Sequence, residues 1–143
     1  MTLDELDSFL PNGFHDMYIG SLELDYSTGT IKLNVDLLVG WPEDSESERN
    51  QYQKAIVTIT GLCFCSIDPP YPGYPLSPSG RAICVGGDPA KADHLPSLPD
   101  LLPNFPEGIW CYRFFVHDWN AFIHIAARDA EVAWIGPKPK HAK

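Results

Sequence analysis

Histidine and carboxylate side chains offer this sequence its most versatile chemistry near neutral pH. Two His-Asp dipeptides, His15-Asp16 and His117-Asp118, are accompanied by His124 and Asp129. Imidazole beside carboxylate binds transition metals or moves protons, which makes His15, Asp16, His117 and His124 the candidates for a metal-dependent or acid/base enzyme. Strand geometry weighs against that chemistry. Neighbouring residues on a strand point to opposite faces, so neither dipeptide readily gives both side chains to one ion. The structural alternative places each dipeptide at a strand end, where Asp and His bond the backbone and fix a corner. On this reading the chain holds no metal and no cofactor and has no catalytic residue, with His124 packed against Phe114.

Other catalytic signatures are missing. The sequence has no G-x-S-x-G, no G-x-x-x-x-G-K-[ST], no G-x-G-x-x-G and no H-E-x-x-H. Val85-Gly86-Gly87-Asp88 reads as a turn. Cys63 and Cys65 form C-x-C, whereas zinc and redox motifs use C-x-x-C; with Cys84 and Cys111 they sit among Leu62, Phe64, Ile67, Ile83 and Trp110, the company of reduced, buried thiols. Trp110, Tyr112, Phe114, Phe115, Trp119, Phe122 and Trp134 fall at strand spacing and read as core, the alternative being the lining of a small-molecule pocket.

The elements that position these residues are mostly strands. Leu3, Leu6 and Leu10 at helical spacing, closed by Pro11-Asn12-Gly13, predict a short helix within 1–10. Thr30 to Val39 alternates, with Ile31, Leu33, Val35, Leu37 and Val39 on one face. Leu22, Leu24 and Tyr26 alternate before it, so the two runs predict a hairpin that pairs Tyr26 with Ile31, Leu24 with Leu33 and Leu22 with Val35. Tyr52 to Ile67 is apolar on both faces, a doubly covered central strand with a bend at Gly61. Ten of the fourteen prolines lie in 68–108, a long excursion that holds one short strand near Arg81 to Val85. Two final strands, Ile109 to His117 and Ala121 to Ile135, join through a three-residue tip that pairs Val116 with Phe122, Phe114 with His124 and Tyr112 with Ala126. Ala121 to Ala133 is also Ala-rich, so an α+β fold with helix at 121–133 is the alternative. The fold class is therefore mostly β: a single antiparallel domain over 1–143, sandwich or open barrel, of about six strands. It carries a short amino-terminal helix, a Pro-rich loop, and a disordered tail at 136–143.

Charge bounds the partners. Residues 1–50 hold 11 of the 19 acids and 2 of the 10 bases, so the whole net charge of −9 lies in the first third. Such a surface repels phosphate backbones and excludes nucleic acid as a partner. No apolar run approaches the ~18 residues of a membrane helix, and Met1 to Leu10, with Asp4, Glu5 and Asp7 and no base, is no secretory signal. The expectation is a soluble, cytoplasmic protein that does not engage membranes. The loop Trp41 to Asn50 concentrates Glu43, Asp44, Glu46 and Glu48, the candidate binding residues for a basic protein partner; self-association through a sheet edge is the other mode.

Two segments, Leu10-Pro-Asn-Gly-Phe-His-Asp16 and His117-Asp-Trp-Asn-Ala-Phe-Ile-His-Ile-Ala-Ala127, resemble a family of small bacterial proteins of uncharacterised function, over roughly residues 10–135. That resemblance implies neither an activity nor site residues. In size and acidity alone the chain is similar to the immunity proteins of bacterial toxin systems. Together these readings favour a non-catalytic protein-binding module.

Overall fold

Thr2 starts the first element by capping it. Its hydroxyl accepts the Glu5 amide at 3.0 Å while the Glu5 carboxylate accepts the Thr2 amide at 2.7 Å, a reciprocal capping box that opens α1 (Leu3–Phe9). Leu3, Leu6 and Leu10 turn one face of it into the core, and Pro11 ends it. The chain then runs through β1 (Pro11–Phe14), β2 (Met17–Asp25), β3 (Thr30–Leu38), β4 (Tyr52–Thr60), β5 (Phe64–Ile67), β6 (Ala82–Pro89), β7 (Trp110–Val116), β8 (Ala121–Ala127) and β9 (Asp129–Trp134). This computed structural model describes residues 1–73, 82–89 and 104–143. The rest of the Pro-rich excursion, Arg81 included, lies outside the described residues.

Eight strands form an antiparallel ladder in the order β5-β8-β7-β6-β2-β3-β4-β9, two halves of four strands that do not close into a barrel. Within the ladder the halves meet along three residue pairs of β2 and β6, Met17 with Cys84, Tyr18 with Ile83 and Ile19 with Ala82. The chain joins them again at a corner. β4 leads into β5 through Gly61, β8 leads into β9 through Arg128, and these strands pair with each other on both sides of the bend. The Arg128 amide donates to the Thr60 carbonyl at 3.1 Å and the Cys63 amide to that of Ala126 at 2.8 Å, so pairing continues around the corner. The six strands read from the sequence become eight in the ladder because two of them bend there.

One core serves both halves. Ile31, Leu33, Val35, Leu37, Ala55, Val57 and Ile59 enter from one, and Tyr112, Phe114, Val116, Ile123 and Ile125 from the other. Phe14 sits between them, fully buried, with its ring edge-to-face on Phe114 at 5.2 Å and on Tyr112 at 6.2 Å.

Several expectations are corrected. Leu24 pairs with Ile31 and Leu22 with Leu33, two residues from the predicted hairpin register. A two-residue shift keeps both apolar sets on one face, so burial alone does not choose between the registers. The tip decides: the Asp25 carboxylate accepts the amides of Ser27 and Thr28 and the Ser27 hydroxyl, closing a four-residue loop over Tyr26 to Gly29. A bulge between Ile19 and Ser21 switches parity, so Met17 and Ile19 point inward while Tyr18 turns out to meet Tyr52. Residues 121–133 are strand rather than helix. The tip after β7 has four residues, His117 to Trp119 in a 3-10 turn and Asn120 in the left-handed region, so Phe114 faces Ile123 and His124 faces Arg113. β4 buries one face, with Ala55, Val57 and Ile59 inside, and leaves the other half exposed. Gly86 and Gly87 lie within β6 at a bulge, not in a turn.

Gly61 carries the sharpest local requirement. Its φ is +64°, and a Cβ there would lie 2.6 Å from the Arg128 Cβ. Replacing Gly61 by Val is expected to lower stability by about 2 kcal/mol, read as a reduced urea midpoint at unchanged slope. An unchanged midpoint would show that the corner relaxes without cost.

Candidate functional site

The four histidine-centred candidates do not converge. His15 and Asp16 form the turn between β1 and β2, Asp16 at φ +57°, with Nδ1 of one 3.0 Å from Oδ2 of the other. They do meet, against the strand-based expectation, because they occupy a turn. His117 lies exposed in the 3-10 turn, 3.7 Å from the Asp118 carboxylate. His124 is buried on the outer face of β8, its Nε2 3.6 Å from Asp68 Oδ2. It packs on Phe122 at 5.8 Å and not on Phe114, which points to the opposite face. Among the described residues no three His, Cys, Asp or Glu side chains gather as a metal would need.

Around His124 the outer face is tightly tied. Arg113, its neighbour across β7 and β8, binds Asp88 through two nitrogens at 2.7 and 3.2 Å and lies 4.5 Å over the Phe122 ring. Phe122 also contacts Phe115 at 5.1 Å, and its amide donates to Asp68 at 3.3 Å. At 3 % exposure the imidazole is buried among these contacts, which hold the strands together on this face. The cysteines differ from expectation too: Cys63 is exposed, and Cys65 and Cys111 are half-buried with their thiol pKa values pushed up by burial.

The first sequence motif builds a second region. The Asn12 side-chain amide donates to the carbonyls of Leu38 and Gly40, both at 2.9 Å, and fastens β1 to the end of β3. Asp7 accepts the Phe14 amide at 2.7 Å, which positions the central core ring; burial raises the Asp7 carboxyl pKa despite that bond. Gly13, at φ +58°, leaves room for this carboxylate, because a Cβ would stand 2.5 Å from its Oδ1. The Pro11 carbonyl accepts the Trp41 indole N–H at 3.1 Å.

Trp41 then holds the acidic loop and the tail together. Its amide donates to Asp44 at 2.8 Å, and its ring stacks on His141 with centroids 3.9 Å apart and planes within 10°. His141 Nε2 lies 2.8 Å, and Lys140 Nζ 3.4 Å, from the same carboxylate. The proline-spaced tail, expected to be disordered, lies against the loop. Gln53 bonds the Ile135 carbonyl, Gly136 turns the chain at φ +99°, and Pro137 to His141 line a cleft of about 230 Å³ with Val39, Gly40, Asp44, Glu48, Gln51 and Gln53. Of the four predicted binding residues, Asp44 is therefore engaged within the chain, and Glu48 accepts the Ser45 hydroxyl at 2.6 Å. Glu43 and Glu46 stand exposed beside them. In the sequence reading Trp41, Asn12, Lys140 and His141 have no binding role and the basic tail Lys138, Lys140, His141 and Lys143 has no function, although the chain's one basic run and its densest acidic run are natural partners by charge.

No protein-family model and no curated protein matches the chain. The crystal structure of an uncharacterised protein from Neisseria gonorrhoeae is similar at 10 % identity and a TM-score of 0.40, over 82 % of this chain and 90 % of that one. Among the described residues no helix is long and apolar enough to cross a membrane.

The Trp41 amide, with smaller help from His141 and Lys140, holds the Asp44 carboxyl below its ordinary value of 3.8. Only the smaller part of that depression, from His141 and Lys140, depends on the docked tail; that part favours docking above the ordinary value and is lost as the pH falls through the depressed one. The ring-current shift that Trp41 imposes on His141 is expected to persist down to pH 4 and to disappear only in more acid solution. A midpoint at or above the ordinary carboxyl value would refute the arrangement.

Proposed function

We propose that the protein is a non-catalytic, cytoplasmic protein-binding module whose acidic loop, residues 41–50, receives a basic surface of a partner protein. One observation carries this reading: the loop already holds a basic segment, with Asp44 facing Lys140 and His141 while Glu43 and Glu46 remain exposed. Rim acids of this kind act over a Debye length of about 8–10 Å and chiefly raise the rate of encounter. The alternatives have less support. A small-molecule site needs a concave, largely apolar pocket, whereas the depression of about 470 Å³ among the described residues is an open groove that includes Asn34, Asp36 and Lys54 in its lining. Self-association through a sheet edge is limited on the β9 side, where the Ala130 amide is taken by the Met1 carbonyl at 2.7 Å.

The test spares Asp44, because that carboxylate serves the loop itself. Glu43, Glu46 and Glu48 are replaced together by Gln, and a partner identified by co-purification from the source organism is mixed with each form in stopped flow. Association is expected to slow several-fold and to lose most of its salt dependence, with stability within about 0.5 kcal/mol of the parent. Unchanged association with lowered stability would make the loop's charge incidental to binding.

A further inference from the structure

We infer that Trp41, its ring held by the Pro11 carbonyl, and Asp44 form a recognition site for an extended basic peptide bearing a planar cation, and that residues 137–141 fill it in cis as a stand-in for the partner's segment. The inference rests on the acidic loop being a partner surface and names what that surface reads.

The site is built rather than merely acidic. Trp41 is fixed at two points, its indole N–H on Pro11 and its amide on Asp44, so its ring is presented at a set angle before anything stacks on it. Asn12 fixes the β3 end from which Trp41 projects by holding the carbonyls of Leu38 and Gly40. A flat ring lies parallel to Trp41 at 3.9 Å, and the same residue places its nitrogen on Asp44, so one planar ring meets the indole and the carboxylate together. Lys140 adds a positive charge beside the same carboxylate. Pro137 and Pro139 keep the segment extended and lower the entropy lost on docking, as in Pro-rich ligands that dock on aromatic surfaces. Imidazole and guanidinium share the required flatness and positive charge; a lysine alone supplies charge without the plane.

The occupant is held by one exposed contact, from Lys140, and one largely shielded contact, from His141, and its tether keeps it in place. A short tether gives an effective concentration on the order of millimolar, enough to hold a segment whose own affinity is weak. A partner peptide must displace it, and its apparent affinity falls by the fraction of sites left open.

The probe is the synthetic peptide Pro-Lys-Pro-Lys-His-Ala-Lys, titrated into the full chain while the backbone amides of Gly40 and Asp44 are followed by NMR. In a chain carrying Lys140→Ala and His141→Ala, which leaves the clamp intact, the peptide is expected to give saturable shifts. In the parent chain it should bind about tenfold more weakly. Adding Trp41→Ala to the double variant should abolish the shifts, with the fold checked by the core methyl spectrum. A peptide with Arg in place of His should bind at least as well, and one with Leu should not. Equal binding to the parent and the double variant would overturn the cis occupant. Absence of binding to the double variant at tens of millimolar peptide would overturn the site. Concentration-dependent dimerisation of the parent chain, lost in the double variant, would show the tail exchanged between copies and would also overturn it. A clamp that ignores the peptide while the Gln variant of the rim acids still slows a partner would remove this inference alone and leave the acidic surface standing.

Discussion

The corner at Gly61 and Arg128 is the constraint from which the arrangement of strands follows. Two strands bend at the same level and remain paired on both sides of the bend. A bend in one of them alone would break the ladder and leave its amides at the corner without carbonyl partners. Because both turn together, the Arg128 and Cys63 amides find carbonyls across the corner, and the halves of the sheet can face one core. The inward residues of β3, β4, β7 and β8 are thereby brought around Phe14.

Phe14 links this corner-built core to the opposite surface. The segment that delivers its ring, Leu10 to Asp16, spends nearly every residue on a tie: Leu10 in the core, Pro11 on Trp41, Asn12 on the end of β3, Gly13 as clearance for Asp7, and the His15-Asp16 turn into β2. Its consequence for the surface is that the acidic loop is anchored at Trp41 and Asp44 while Glu43 and Glu46 stand exposed, a held base carrying a charged rim.

The sequence was most legible where alternation met burial. Ile31 to Leu37 and the capped helix could be read directly, because one face of each must enter the core. Registers were harder, since a shift of two residues in the first hairpin preserves every buried face and only the Asp25 side chain, bonding at the tip, selects the observed pairing. At the second tip the choice of four residues over three rests on Asn120 adopting a left-handed conformation, a local matter that reverses which face opposes His124. The candidate surface was half legible. The acids at 43–48 stand out by charge, but the role of Trp41 depends on Asn12 and Pro11, thirty residues earlier, and on a tail nearly a hundred residues later. No local pattern carries such contacts.

Charge placement then determines what this surface can bind. The first fifty residues carry all of the net −9, and the tail returns three lysines to one edge of that field. Docking the tail satisfies Asp44 but leaves Glu43 and Glu46 facing solvent, so the edge remains negative after its own counter-segment is in place. A neutral or acidic partner gains nothing from approaching such a rim. A basic partner gains from the rim first, at a distance that salt can screen, and only afterwards competes for the stacked position on Trp41. On the proposed reading attraction and recognition are separable, with the exposed glutamates assigned to encounter and the Trp41–Asp44 pair to what stays bound.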